Sequence, residues 1–247
     1  MPDEIQVPVC GQRTRGADLL GSALPFGRAF HAVLSERALK GPDFKLEDAQ
    51  ENFAFFFKGE TDVSENLRYK PNETFESLLN TGFDMLTVAL ENWQDDYAVE
   101  RVAESFSVSV PGLSRPLIGE FDCVVSGVET TIVDWKTASS KWPLGKADRD
   151  LQASAFCYAY KQVHGKNPVF RFDVITKTKQ PSVNSHYTLR TQDELDRFEF
   201  IAGRIEKAVN AELFYPNENI INCAECPYAD RCKKATWKGA SHGTVHV

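Results

Sequence analysis

Two short apolar runs, Leu117 to Val125 and Thr130 to Trp135, flank the turn-like Ser126-Gly127-Val128 and constrain the fold more than any other stretch of this 247-residue chain. Runs of this length bounded by turn residues read as strands joined in a hairpin. Strand side chains alternate between faces, so Asp134 and Lys136 project to the same side. Folding about Val128 brings Asp122 opposite Asp134, and directly opposed residues lie roughly 5 Å apart at Cβ. Two carboxylates at that spacing repel each other unless a cation sits between them. Hard divalent cations such as Mg²⁺ take carboxylate and carbonyl oxygens. A lysine beside the pair can neutralise charge developing on a phosphate. The hairpin is therefore laid out for metal-dependent phosphodiester chemistry.

The elements around it follow from periodicity. Phe26 to Leu39 reads as a helix with Pro25 at its start, Leu46 to Phe57 as a second, and Glu73 to Trp93 as a third with a core-facing stripe. A strand is expected from Val99 to Val110, ended by Pro111-Gly112. After the hairpin, Lys141 to Ala147 reads as a loop and Asp148 to Val163 as a helix closed by Gly165. Strands follow at Val169–Thr176 and Val183–Leu189. Thr191-Gln192-Asp193-Glu194 is a capping box opening a helix to about Phe214. Helices, a three-strand meander, then helix and strand give an α/β core with a mixed sheet.

Composition narrows the class. With 42% hydrophobic residues the chain can bury a substantial core. No segment reaches the apolar length of a membrane span and Met1-Pro2-Asp3-Glu4 is no signal peptide, so a soluble, cytoplasmic protein is expected. The net charge of −7 argues against indiscriminate coating of nucleic acid, but a local basic groove is compatible with it. Of the six cysteines, three form Cys223-Ala224-Glu225-Cys226 followed by Cys232. This C-x2-C-x5-C array offers three corners of a tetrahedral site, and on spacing alone zinc or an iron–sulfur cluster fits it. Cys123 and Cys157 read as small buried hydrophobes.

Gly119-Glu120-Phe121-Asp122 and Ile132-Val133-Asp134-Trp135-Lys136-Thr137 resemble the D…(D/E)-x-K core of the PD-(D/E)XK nuclease superfamily, in particular its RecB-like branch. That branch carries G-x-(I/V)-D on one strand and (I/V)-x-D-(Y/W/F)-K-T on the next. The resemblance spans nearly the whole chain and implies a restriction-endonuclease-like αβββαβ core. Residues 1–215 would form the nuclease domain, with 41–96 as a helical insertion. Residues 216–247 would be a cysteine tail packed on the N-terminus.

The resemblance further implies a metal-dependent DNA nuclease. An exonuclease on single-stranded or end-processed DNA, serving recombination, repair, or phage- or CRISPR-related processing, is its expected form. Asp122 and Asp134 would hold Mg²⁺ or Mn²⁺ with His31 and the Trp135 carbonyl. His31 closes Gly27-Arg28-Ala29-Phe30-His31, which matches the branch's G-x-x-x-H, and Gly27 would admit close approach of the sheet. Lys136 would orient the attacking water or stabilise the transition state. Gln152 matches the first position of a Q-x-x-x-Y signature, with Phe156 in place of the tyrosine and Tyr158 and Tyr160 beyond. Glu120 and Glu104 are further acidic candidates near the site. Lys141, Lys146 and Arg149 flank the start of the glutamine helix and would contact the DNA backbone.

Branch members with a [4Fe–4S] cluster, including CRISPR-associated exonucleases and AddB-type nucleases, end in a similar cysteine pattern. This implies a cluster held by Cys10, Cys223, Cys226 and Cys232, with Zn²⁺ as the alternative. The sequence contains no G-x-x-x-x-G-K-(S/T) segment, so strand separation would fall to a helicase or a recombination or adaptation partner. A non-catalytic iron–sulfur DNA-binding or assembly subunit with the same fold is the competing reading.

Overall fold

The computed structural model describes residues 20–64, 66–95 and 97–213, together with Cys223 and Cys226. At its centre is a five-stranded sheet of order β3-β4-β5-β6-β7. The strands are β3 (Ala98–Val108), β4 (Leu117–Ser126), β5 (Thr131–Ala138), β6 (Val169–Thr176) and β7 (Val183–Thr188). β5 and β6 run parallel and the other neighbours antiparallel, so the sheet is mixed as expected. The parallel pair is joined by a crossover through the short helix α4 (Lys146–Arg149) and α5 (Leu151–His164).

On one face lies α1 (Ala23–Lys40), backed by α2 (Leu46–Asp62) and α3 (Phe75–Glu91). Phe26, Phe30, Phe53 and Phe57 are fully buried there against Cys123, Val125, Val133 and Trp135 of the sheet. The rings interlock: Phe26 meets Phe53 edge-on at 5.3 Å, and Phe57 stacks on Phe75 at 5.0 Å. Gly82 makes this possible, since a Cβ there would come within 2.0 Å of the Phe53 ring. α2 and α3 thus supply the second helical layer over the sheet and complete one half of the core. A two-residue parallel pairing of β1 (Leu20–Gly21) with β2 (Leu67–Arg68) ties their polar connection back to the start of α1.

On the other face α5 and α6 (Gln192–Asn210) cover Phe121, Val124, Ile132, Phe170, Phe172 and Val174. Thr191 caps α6 through the expected reciprocal box with Glu194.

Three of the boundaries that differ from the sequence reading have a local cause. The helix expected from Asp148 is broken, because Asp150 takes an extended backbone and caps α5 with its own carboxylate. α2 continues past Phe57 to Asp62, with Lys58 bonded to Asp62 one turn on. β5 extends to Ala138, carried there by its parallel partner, which pairs Thr176 with Ala138. Cys10 and Cys232, and with them the docking of the tail on the N-terminus, lie outside the described residues. Among the described residues no helix is long and apolar enough to cross a membrane.

Candidate active site

The β4–β5 ladder has the register expected from a turn about Val128, pairing Val125 with Thr131, Val124 with Ile132 and Cys123 with Val133. It stops there, one residue short of Asp122. Beyond Cys123 the strand changes phase: Cys123 packs with the α1 layer, yet both Val124 and Phe121 pack with the α5 layer. The neighbouring strand does the same. Between the pairs Val102↔Cys123 and Glu104↔Phe121 stands Ala103, with φ 52. A non-glycine residue in this left-handed region costs on the order of 1 kcal/mol and is a common mark of functional sites. The paired distortion opens a fork between β4 and β5 at Asp122.

Asp122 fills the fork. Its Oδ2 accepts the Trp135 backbone N–H at 2.9 Å, taking the place of the main-chain oxygen that a continued ladder would provide. The same oxygen lies 3.2 Å from Nδ1 of His31 on α1. Gly27, one turn before His31, faces Thr137, but a Cβ there would meet Thr137 Oγ1 at an ordinary 3.8 Å. The close approach of α1 to the sheet therefore does not depend on glycine at that position, contrary to the sequence expectation.

Asp134 reaches the fork from the α5 side. It is only 2% exposed. Its Oδ1 accepts from Gln152 Nε2 at 2.7 Å. Lys136 Nζ lies 2.5 Å from Oδ2, as expected for two residues on one strand face. Oδ2 is buried, with the Lys136 ammonium as its ionic partner. Burial pushes the Asp134 carboxyl up from 3.8 to about 6; the Lys136 charge opposes this and the Asp122 charge adds to it. Asp122 reaches the same stretch of strand, since the N–H it binds belongs to Trp135, the residue after Asp134.

Among the described residues no three His, Cys, Asp or Glu side chains stand ready as a metal cage. The side chains are turned to one another: His31 to Asp122, Lys136 and Gln152 to Asp134. Even so, a buried carboxylate oxygen met by a single ammonium, next to a second carboxylate, is the donor chemistry that a hard divalent cation satisfies. The residues fit such an ion.

The other expected residues are placed as follows. Gln152 sits in the first turn of α5, where Asp150 Oδ1 accepts from its backbone N–H at 3.0 Å. Phe156 packs among Phe106, Phe121 and Phe170, so the ring at that position serves the core. Tyr158 donates from its hydroxyl to the Ser109 carbonyl. Lys146 lies 3.6 Å above the Trp142 ring and pairs with Asp150, and Arg149 donates to the Gly145 carbonyl. Lys141 is exposed in the loop before them. Glu104 pairs with His164 at the far end of α5 and with Arg101, so it serves the sheet edge and not the fork. Glu120 is exposed and accepts from Ser105 across the β3–β4 ladder.

Sequence reasoning missed Asp150. Its signal was present, since an aspartate immediately before a helical run is a standard N-cap. Cys123 and Cys157 are buried, and burial pushes both thiols up to about 12, which leaves them unreactive. The Cys226 N–H donates to the Cys223 carbonyl at 3.4 Å.

A family model of the PD-(D/E)XK nuclease superfamily matches residues 11–233. Among solved structures the chain is similar to a candidate exonuclease from Eubacterium rectale, with a TM-score of 0.49 and 14% identity, over 82% of this chain and 73% of that one. It is also similar to SSO0001, with a TM-score of 0.41 and 11% identity, over 90% of this chain and 89% of the other. No curated protein matches the sequence.

Proposed function

The chain belongs to the PD-(D/E)XK nuclease superfamily, and from that premise we propose that it is a metal-dependent deoxyribonuclease, acting as an exonuclease on single-stranded or end-processed DNA. The observation that carries this reading is the convergence of Asp122, Asp134 and Lys136 on one fork, with Asp134 Oδ2 buried against the Lys136 ammonium. Asp122, Asp134, His31 and the Trp135 carbonyl would hold Mg²⁺ or Mn²⁺, which when bound polarises the phosphate and acidifies a water.

The chain's own groups do the rest. Gln152 holds Oδ1 of Asp134, which leaves Oδ2 to face the fork. His31 and the Trp135 N–H fix the Asp122 carboxylate. Lys136, anchored against Asp134, presents an ammonium to the oxygens that gain charge as water attacks phosphorus and the ester oxygen leaves. Lys141, Lys146 and Arg149 surround the loop leading into α5 and supply phosphate contacts, with Lys146 exchanging Asp150 for the strand. Basic groups gathered there suit a chain whose net charge is −7.

The same reading assigns a [4Fe–4S] cluster, or Zn²⁺ in its place, to Cys10, Cys223, Cys226 and Cys232. Its support is the C-x2-C-x5-C spacing and the hydrogen bond from the Cys226 N–H to the Cys223 carbonyl. Protein purified without oxygen is expected to be brown with iron bound; stoichiometric zinc in a colourless sample would replace the cluster with the alternative.

A gel assay with Mn²⁺ and 5′- or 3′-labelled linear DNA, single- and double-stranded, beside a circular single strand, tests the activity. Linear single strands should be shortened from an end while the circle survives. Cutting of the circle would make the enzyme endonucleolytic. No cutting of any substrate by folded protein would favour the non-catalytic assembly reading.

A further inference from the structure

Arg190 is among the largest fully buried side chains in the protein, at 2% exposed. A buried guanidinium gives up its hydration and must find its partners within the protein. Here its N–H groups go to neutral oxygens. Nε donates to Ser154 Oγ at 2.8 Å, Nη2 to the carbonyls of Ala147 and Asp150 at 2.8 and 3.0 Å, and Nη1 to Thr188 Oγ1 and the Leu189 carbonyl. An apolar side chain of similar volume would leave those oxygens without their donor. What only a guanidinium supplies is a rigid fork of five directed donors.

Those donors bind one place. Ala147 is in α4, Asp150 is the joint, and Ser154 is in the first turn of α5; Thr188 and Leu189 are at the end of β7. The last carbonyls of a helix have no partner within it, and α4 ends at this joint after four residues. Arg190 satisfies carbonyls there and ties the corner to the sheet. Thr188 adds a second tie, donating to Asp148 Oδ1 at 2.8 Å. From the corner the linkage reaches the fork in two bonds. Asp150 Oδ1 fixes the Gln152 N–H, and Gln152 Nε2 holds Asp134 Oδ1.

We propose that Arg190 is a positioning residue, which locks the α4–α5 corner so that the Gln152 carboxamide is held against Asp134. Its effect on cation binding at the fork rests on the function proposed above; its effect on Gln152 does not. Groups that orient a metal ligand are typically worth 10–100-fold in metal affinity.

The test uses Arg190→Met, which keeps the volume and removes the donors. In metal-free protein the side-chain NH₂ of Gln152, followed by ¹⁵N NMR, should exchange slowly with water in the wild type. In Arg190→Met it should shift to the position and exchange rate of a solvated amide, with the backbone spectrum outside the corner unchanged. Mn²⁺ affinity should fall roughly tenfold. The same substitution placed on Gln152→Ala should cost little more than Gln152→Ala alone. A folded Arg190→Met with the Gln152 signal unmoved, or an equal loss of Mn²⁺ affinity on both backgrounds, would overturn the proposal. If Arg190→Met does not fold, Ser154→Ala decides by the same signal: a smaller shift in the same direction supports it, and none overturns it. Wild-type protein that binds no Mn²⁺ would end the metal reading, while the Gln152 signal would still decide the role of Arg190.

Discussion

Replacing Asp134 by asparagine should make the metal-free protein more stable and the enzyme inactive. Asp134 is buried, and its carboxyl is pushed up from 3.8 to about 6, chiefly by burial. A carboxyl whose native value is raised favours folding while protonated and loses that advantage as pH climbs through the native value. The native state is therefore unpenalised below pH 4, increasingly penalised between 4 and 6, and fully penalised above 6. The size of the penalty is about 3 kcal/mol. The attraction of Lys136 is already counted, because it opposes burial in setting the value. Asparagine can still accept from Gln152 and carries no charge to bury. In EDTA at pH 8, Asp134→Asn should melt up to about 6–12 °C higher than the wild type. At pH 4 the two curves should coincide. Added Mn²⁺ should raise the wild-type melting temperature and leave the variant unmoved. A variant that melts lower at pH 8, or whose gain is the same at pH 4 and pH 8, would refute the assignment of Asp134 as a buried charge held for a cation.

Other consequences are checked separately. Lys136→Met should lose about 10²–10³-fold in kcat per folded molecule, measured by single-turnover cleavage, and in EDTA it should melt lower than the wild type at pH 8 but not at pH 4, because it strips the buried Asp134 charge of its partner. Gly82→Ala should destabilise the protein by about 1–3 kcal/mol in urea titration, because its Cβ would strike Phe53. Gly27→Ala should be nearly neutral in the same titration, because its Cβ finds only ordinary contact with Thr137. Cys226→Ala should lower stability and bound iron or zinc more than it lowers turnover per folded molecule, which metal analysis and active-site titration together would show.

Much of the fork was legible because its signals are local. Strand alternation put Asp134 and Lys136 on one face, and turn residues set a register about Val128 that the ladder follows. The end of that ladder was not legible. It depends on a phase change shared by Ala103 and Asp122, residues on two strands whose distortion neither run of sequence reveals. Glu104 illustrates the same limit, since its partner His164 lies sixty positions away at the end of α5. The break at Asp150 is a contest between helix periodicity, which runs unbroken through Asp148 to Val163, and a carboxylate cap supported by Arg190 from beyond β7. Periodicity sees only the first contestant. Gly27 was misjudged for the opposite reason, because a motif glycine suggested a steric demand that packing against Thr137 does not make.

The central claim is that Asp122, held in the gap between β4 and β5, works with Asp134 on a divalent cation to cleave DNA. The most direct measurement is Mn²⁺-dependent release of label from single-stranded DNA by wild type and Asp122→Ala at equal folded concentration. The wild type should degrade the strand with Mn²⁺ and stop in EDTA, and Asp122→Ala should leave the strand intact in both while still melting cooperatively. Undiminished cleavage by Asp122→Ala, or wild-type cleavage that persists in EDTA, would contradict the account.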